Sequence, residues 1–163
     1  VNQRVLAVTL DDLRAIPMVA GIAAGPEKAL GILGALRGLE RESREQHLVV
    51  CGDLNVAPKD EDVYDPDLWR GAIMCSDGER HAFEELCGIG LIDTLRLHHP
   101  EAGLFSWWDY RMLSFPKNRG LRIDAILASK SLAEHCSATG IEREMRKGKD
   151  PSDHAPVWAE FGL

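Results

Sequence analysis

The chain has 163 residues, enough for one domain with a sizeable core, and its 45% hydrophobic and 28% charged composition is ordinary for a globular protein. A formal net charge of −7 argues against gripping nucleic acid by overall positive potential, but not against a local basic face or a carboxylate cluster neutralised by a cation. No apolar run approaches the roughly 20 residues of a membrane-crossing helix. The N-terminus lacks the basic, apolar, small-residue order of a signal peptide, so a cytoplasmic protein with no membrane partner is expected.

In chain order, Arg4 to Val8 reads as a short strand, while the small, Pro- and Gly-broken stretch 16–26 has no assignable element. Pro26 and Glu27 open a helix whose apolar stripe is Ala29, Ile32, Leu33, Leu36 and Leu39, with Glu40 to Glu45 as its solvated end. His47 to Cys51 is a buried strand. Residues 56–78, rich in Pro, Gly and acids, read as a long surface loop, and 79–88 as a helix with Phe83, Leu86 and Cys87 inward. Leu104 to Tyr110 is strand-like, Leu121 to Ala128 a strong strand, and Ser129 the N-cap of a short helix ending at Cys136. Strands at 138–144 and 155–161 complete an α/β pattern. His98-His99-Pro100 reads as loop, Trp69 and Trp158 as core, and Cys51, Cys75, Cys87 and Cys136 as reduced structural thiols, since none is spaced C-x-x-C.

The residues able to carry chemistry stand at strand edges. Asp53 follows Gly52 at the end of the 47–51 strand, with Asn55 two residues on, and a carboxylate beside an amide can orient a water and hold a phosphoryl oxygen. The same residues also fit an Asx-turn that ends the strand by binding backbone amides. Asp153-His154 before the last strand reads either as a metal-assisted hydrolase edge or as a turn next to a satisfied core imidazole. Asp124 lies inside an apolar strand, and a buried carboxylate needs a partner. His154 is the natural one, as acid, base or phosphate clamp, with Asp124 fixing its tautomer and raising its pKa. Arg111, Lys117, Asn118, Arg119 and Arg122 form the one basic cluster, directly after Trp107-Trp108-Asp109-Tyr110. Such a loop suits phosphate contacts and stacking, or is a solvated loop over buried aromatics.

Five motifs carry a resemblance: Gly52-Asp53-Leu54-Asn55-Val56-Ala57-Pro58, Gly90-Leu91-Ile92-Asp93-Thr94, Phe105-Ser106-Trp107-Trp108-Asp109-Tyr110-Arg111, Asn118-Arg119-Gly120-Leu121-Arg122-Ile123-Asp124 and Pro151-Ser152-Asp153-His154-Ala155-Pro156-Val157-Trp158. From Lys28 to Phe161 the chain resembles the exonuclease III family, the Mg²⁺-dependent apurinic/apyrimidinic endonucleases and 3′-5′ exonucleases of base-excision repair. The resemblance implies a half or reduced form of the two-sheet α/β sandwich of the endonuclease/exonuclease/phosphatase superfamily. It implies hydrolysis of phosphodiester bonds at abasic sites and 3′ ends of double-stranded DNA, with Mg²⁺ (or Mn²⁺). Asp53 would orient the attacking water, Asn55 would hold Asp53 and the phosphate, and His154, braced by Asp124, would stabilise the phosphorane. Asp153 would bind metal, helped by Asp11. Trp107 would line the pocket for the baseless sugar, with Arg111, Asn118 and Arg119 on the DNA face.

The chain also departs from that family. Residues 1–25 look like a degraded N-terminal part, with Thr9 where an asparagine is expected and no Gln-Glu-Thr-like segment to supply the metal-binding glutamate. Residues 26–163 correspond to the C-terminal half of one nuclease-like domain. A partner chain covering the missing half, and weak metal affinity, are therefore expected. The competing readings are a catalytically silent remnant that binds DNA or a protein partner, and a phosphoesterase acting on a small substrate.

Overall fold

The computed structural model describes residues 7–8, 14–17 and 47–162. Two sheets organise them. Strands β1 (Ala7–Val8), β2 (Arg14–Pro17), β3 (Leu48–Asp53), β4 (Leu91–Asp93), β5 (Asp124–Ser129), β6 (Cys136–Ile141) and β7 (Val157–Phe161) form a three-stranded sheet, β1-β7-β6, and a four-stranded sheet, β2-β3-β5-β4. Pairing is parallel for β1 with β7 and β2 with β3, and antiparallel for β3 with β5, β4 with β5 and β6 with β7.

Alternation along β3 explains why its six residues are all buried. Leu48 and Val50 enter a core with Leu54, Val56, Phe83, Leu86, Leu91 and Leu127, against helix α2 (Asp77–Gly88). Val49 and Cys51 face the other way and join Ile126, Ala128, Leu132, Val157 and Ala159, which binds the four-stranded sheet to β7 of the other. The strand therefore sits between a helix and a second sheet, and its end is delivered into the seam. The helix expected from Pro26 and the division at residue 25 lie outside the described residues.

Several elements differ from expectation. Helix α2 begins at Asp77 because Ser76 and Glu79 form a capping box: Ser76 Oγ accepts from Glu79 N–H at 3.4 Å while Glu79 Oε2 accepts from Ser76 N–H at 3.0 Å. Cys87 is only partly buried on it. The 56–78 segment is not a surface loop. It holds a 3₁₀ turn at Asp60–Asp62 and helix α1 (Pro66–Trp69), and it buries Val56, Ala57, Asp62, Val63 and Cys75.

Residues 104–110 make isolated bridges at Trp107 rather than a strand, their amides being used by Leu121 and Asp153. Helix α3 (Thr94–His98) takes in His98, and His99 caps it. Helix α4 (Lys130–Ala133) follows β5, but the Ser129 hydroxyl accepts from Leu48 N–H at 3.1 Å and makes no cap bond. Strand β6 ends at Ile141 and gives way to a 3₁₀ turn at Arg143–Arg146. Trp69 packs half-buried against the Val63–Leu121 cluster, whereas half-buried Trp158 lies on Gly140 and donates to Glu142 Oε1 at 2.9 Å.

Candidate active site

Two strand ends and the segment leading into β7 meet at one point. Gly52, inside β3 and paired with Ala125, has φ +147, a conformation for which glycine is suited, and the next residue, Asp53, stands opposite Asp124 at the start of β5. Directly opposed carboxylates on one sheet face repel. His154 resolves that repulsion: its Nδ1 lies 2.8 Å from Asp124 Oδ2, and its Nε2 lies 4.0 Å from Asp53 Oδ2. Burial disfavours the imidazolium, but the hydrogen bond and charge of Asp124, then the charges of Asp53 and Asp153, outweigh it and raise His154 above its usual range. The His154 side chain keeps 12% of its exposure, so the imidazole is not sealed in the core.

Asp53 also forms the Asx-turn, its Oδ1 accepting from Asn55 N–H at 3.0 Å, and Asn55 sits half-buried at φ +53. The Asx-turn is therefore present, and it leaves Asp53 beside His154. Asp153, next to His154, accepts from the indole N–H of Trp107 at 3.0 Å, and Trp107 bridges both Leu121 and His154. Gly120 is required under this loop: a Cβ there would stand 2.5 Å from the Trp108 indole nitrogen and 2.8 Å from the Trp107 carbonyl.

The expected basic face divides. Arg111, Lys117, Asn118 and Arg119 are exposed, as is Tyr110 at 62%, while Trp108 is fully buried with Asn118 Oδ1 3.4 Å from its indole nitrogen. Arg122 does not belong with them. It is 1% exposed, with Nε 2.6 Å from Asp62 Oδ1 and Nη2 2.8 Å from Asp93 Oδ2, and Arg96 closes the same network on Asp62. Burial opposes the Arg122 charge, but Asp93 and Asp62 hold its pKa above the ordinary value. A charged residue between Leu121 and Ile123, both apolar, was the signal that it needed buried partners.

Asp11 lies outside the described residues. Among those described, no group of three or more His, Cys, Asp and Glu is arranged to hold a metal ion, so they do not by themselves compose a full cation site. The four cysteines are free, and burial pushes Cys51 and Cys87 up to about 11, which excludes them as ready thiolate nucleophiles. No helix of the described residues is long and apolar enough to cross a membrane.

Residues 7–154 match the Endonuclease/Exonuclease/phosphatase family. The chain belongs to that family. It is 43% identical over 131 residues to exodeoxyribonuclease III of Haemophilus influenzae, covering 76% of this chain and 49% of the relative. It is 36% identical over 115 residues to an exodeoxyribonuclease of Bacillus subtilis, covering 70% of this chain and 44% of that protein. Among solved structures, the 3′-5′ exonuclease NExo of Neisseria meningitidis superposes with a TM-score of 0.83 at 38% identity, over 93% of this chain and 62% of that one. The same relative, described as a 3′ phosphatase bound to a product DNA hairpin, gives 0.85 at 37% identity, over 95% and 63%. The two-sheet α/β architecture is therefore that of the Endonuclease/Exonuclease/phosphatase family. The chain spans about half the length of the curated relatives it matches.

Proposed function

We propose that this chain is an exonuclease III-type phosphodiesterase that hydrolyses duplex DNA at abasic sites and 3′ ends. The observation that carries the reading is the hydrogen-bonded His154–Asp124 pair with Asp53 on its far side, in a chain whose relatives are named as DNA nucleases. In this reading Asp53 takes a proton from a water as that water's oxygen bonds to phosphorus, the P–O bond to the departing strand breaks, and the released oxygen takes a proton from solvent to leave as a hydroxyl. His154, kept in one orientation by Asp124, donates from Nε2 to a non-bridging oxygen and stabilises the charge that gathers there. Asn55 orients Asp53 through the turn, and Arg111, Asn118 and Arg119 face the DNA backbone. Mg²⁺ (or Mn²⁺) is the cation this family chemistry calls for, with Asp153 and Asp11 as its intended carboxylates. The described donors do not by themselves complete such a site. Four free cysteines suit a reducing compartment such as the cytoplasm.

The experiment is cleavage of a duplex bearing one abasic-site analogue, and of one with a recessed 3′ end, by the full chain with Mg²⁺ and with chelator. Chelator-sensitive cleavage that His154→Ala abolishes supports the reading. Binding without cleavage by a folded chain would instead mark a silent DNA-binding relative, and turnover of a small phosphoester alone would mark a phosphoesterase.

A further inference from the structure

Ser106 has no exposed surface and lies in no strand, yet it touches the chain beside both members of the His154–Asp124 pair. Its Oγ accepts from the backbone N–H of Ile123 at 3.0 Å and of Asp124 at 3.1 Å. Its carbonyl oxygen accepts from Ala155 N–H at 2.7 Å, one residue past His154, and its own N–H donates to Leu121 O at 3.0 Å. Strand β4 runs beside β5 only at Leu127–Ser129, so at the level of Asp124 a side-chain oxygen takes the place of a neighbouring strand.

We propose that Ser106 is a positioning residue for the Asp124–His154 pair. The two partners are thirty positions apart in sequence. Their backbones are referred to one buried residue, through its hydroxyl on the Asp124 side and its carbonyl on the His154 side. The 2.8 Å separation of Nδ1 and Oδ2 is then fixed by a short rigid path and not by two separate loops. A misplacement of about 1 Å in such a pair is enough to cost on the order of 100-fold in rate. The competing account is that the hydroxyl merely satisfies two buried amides, in which case its loss weakens the fold and nothing else.

The test compares Ser106→Ala with Thr94→Val. Thr94 is also buried and also binds β5 through its hydroxyl, to Ile126 O at 2.8 Å, but that hydroxyl bonds to neither partner of the pair. The first readout needs no substrate: the downfield proton resonance of His154 Nδ1–H held against Asp124. Ser106→Ala shifts or broadens it, Thr94→Val leaves it in place at a matched loss of melting temperature, and Ser106→Thr restores it. If Ser106→Ala does not fold, Ser106→Cys, which keeps only a weak acceptor, is read in the same way.

The second readout rests on the hydrolase reading above. Ser106→Ala lowers kcat about 100-fold with KM changed less than about threefold. Failure of the unaltered chain to cleave defeats that reading and leaves the resonance to decide. A folded Ser106→Ala variant with an unchanged resonance, or an equal disturbance by Thr94→Val, overturns the proposal.

Discussion

Trp107 donates its indole N–H to the carboxylate of Asp153 at 3.0 Å, so the half-buried aromatic of the site loop holds the residue that precedes His154. The family resemblance implies a sugar-receiving pocket for Trp107, where any aromatic face would serve. A polar bond adds a second demand that the indole N–H meets and a phenyl ring does not. Trp107→Phe keeps the ring and drops the donor, and is expected to lower kcat several-fold while leaving KM nearly constant. Trp107→Ala is expected to raise KM as well. Equal KM effects from both variants, in steady-state cleavage, would return Trp107 to a purely binding part.

Removal of Asp124 tests the charge balance around His154. Burial lowers the imidazole pKa and the Asp124 bond and charge raise it, with Asp53 and Asp153 adding to the rise. The folded value is thus raised above the unfolded one, about 6.5. The sign follows: this contribution to stability is fully present below about pH 6.5 and is lost as pH rises through the higher folded value. Asp124→Asn is expected to bring the His154 midpoint down, followed by NMR on chelator-treated protein, and to flatten the fall in stability above pH 6.5. An unmoved midpoint would mean that Asp53 and Asp153 set it without Asp124.

The buried network of Asp62, Arg96, Arg122 and Asp93 makes a separate prediction. Burial pushes Asp62 up, but Arg122 and then Arg96 outweigh it and depress its pKa below the usual carboxylate value. Its contribution is present above about pH 3.9 and is lost as pH falls through the lower folded value. Asp62→Asn leaves two guanidinium groups short of a counter-charge, one of them fully buried, and is expected to cost about 3–5 kcal/mol in urea unfolding. A loss under about 1 kcal/mol would show that Asp93 suffices for Arg122.

Much of this was legible in the sequence and some was not, for physical reasons. The strand expected at His47 to Cys51 was readable, because an apolar run ending in glycine has one common fate, although it starts at Leu48 and runs on to Asp53; Asp124 was readable because an acid inside such a run must find a partner. What local pattern hides is partnership at a distance. Asp62 sits in a segment that composition assigns to solvent, and Arg122 and Arg96, 60 and 34 positions away, make its burial tolerable. Trp107 and Ser106 looked like strand residues, but their hydrogen bonds run to Leu121, Asp124 and Ala155 rather than along a ladder. Ser76 and Glu79 were a legible capping signal that the acid-rich surroundings concealed.

The relocation of Arg122 changes the expected salt dependence of DNA binding. With that guanidinium committed to Asp62 and Asp93, the loop offers Arg111, Lys117 and Arg119 as exposed cations. Three phosphate contacts at about 0.9 each give a slope of roughly −3 for log K against log salt. Arg111→Ala and Arg119→Ala are each expected to reduce it by about one and to weaken binding uniformly across sequences. Arg122→Met should disturb folding and leave the slope of any folded fraction unchanged. Fluorescence anisotropy on a labelled duplex between 50 and 200 mM salt measures all three. A slope of about −6 would require a second basic face, and a slope that fell with Arg122→Met alone would put that side chain back among the DNA contacts.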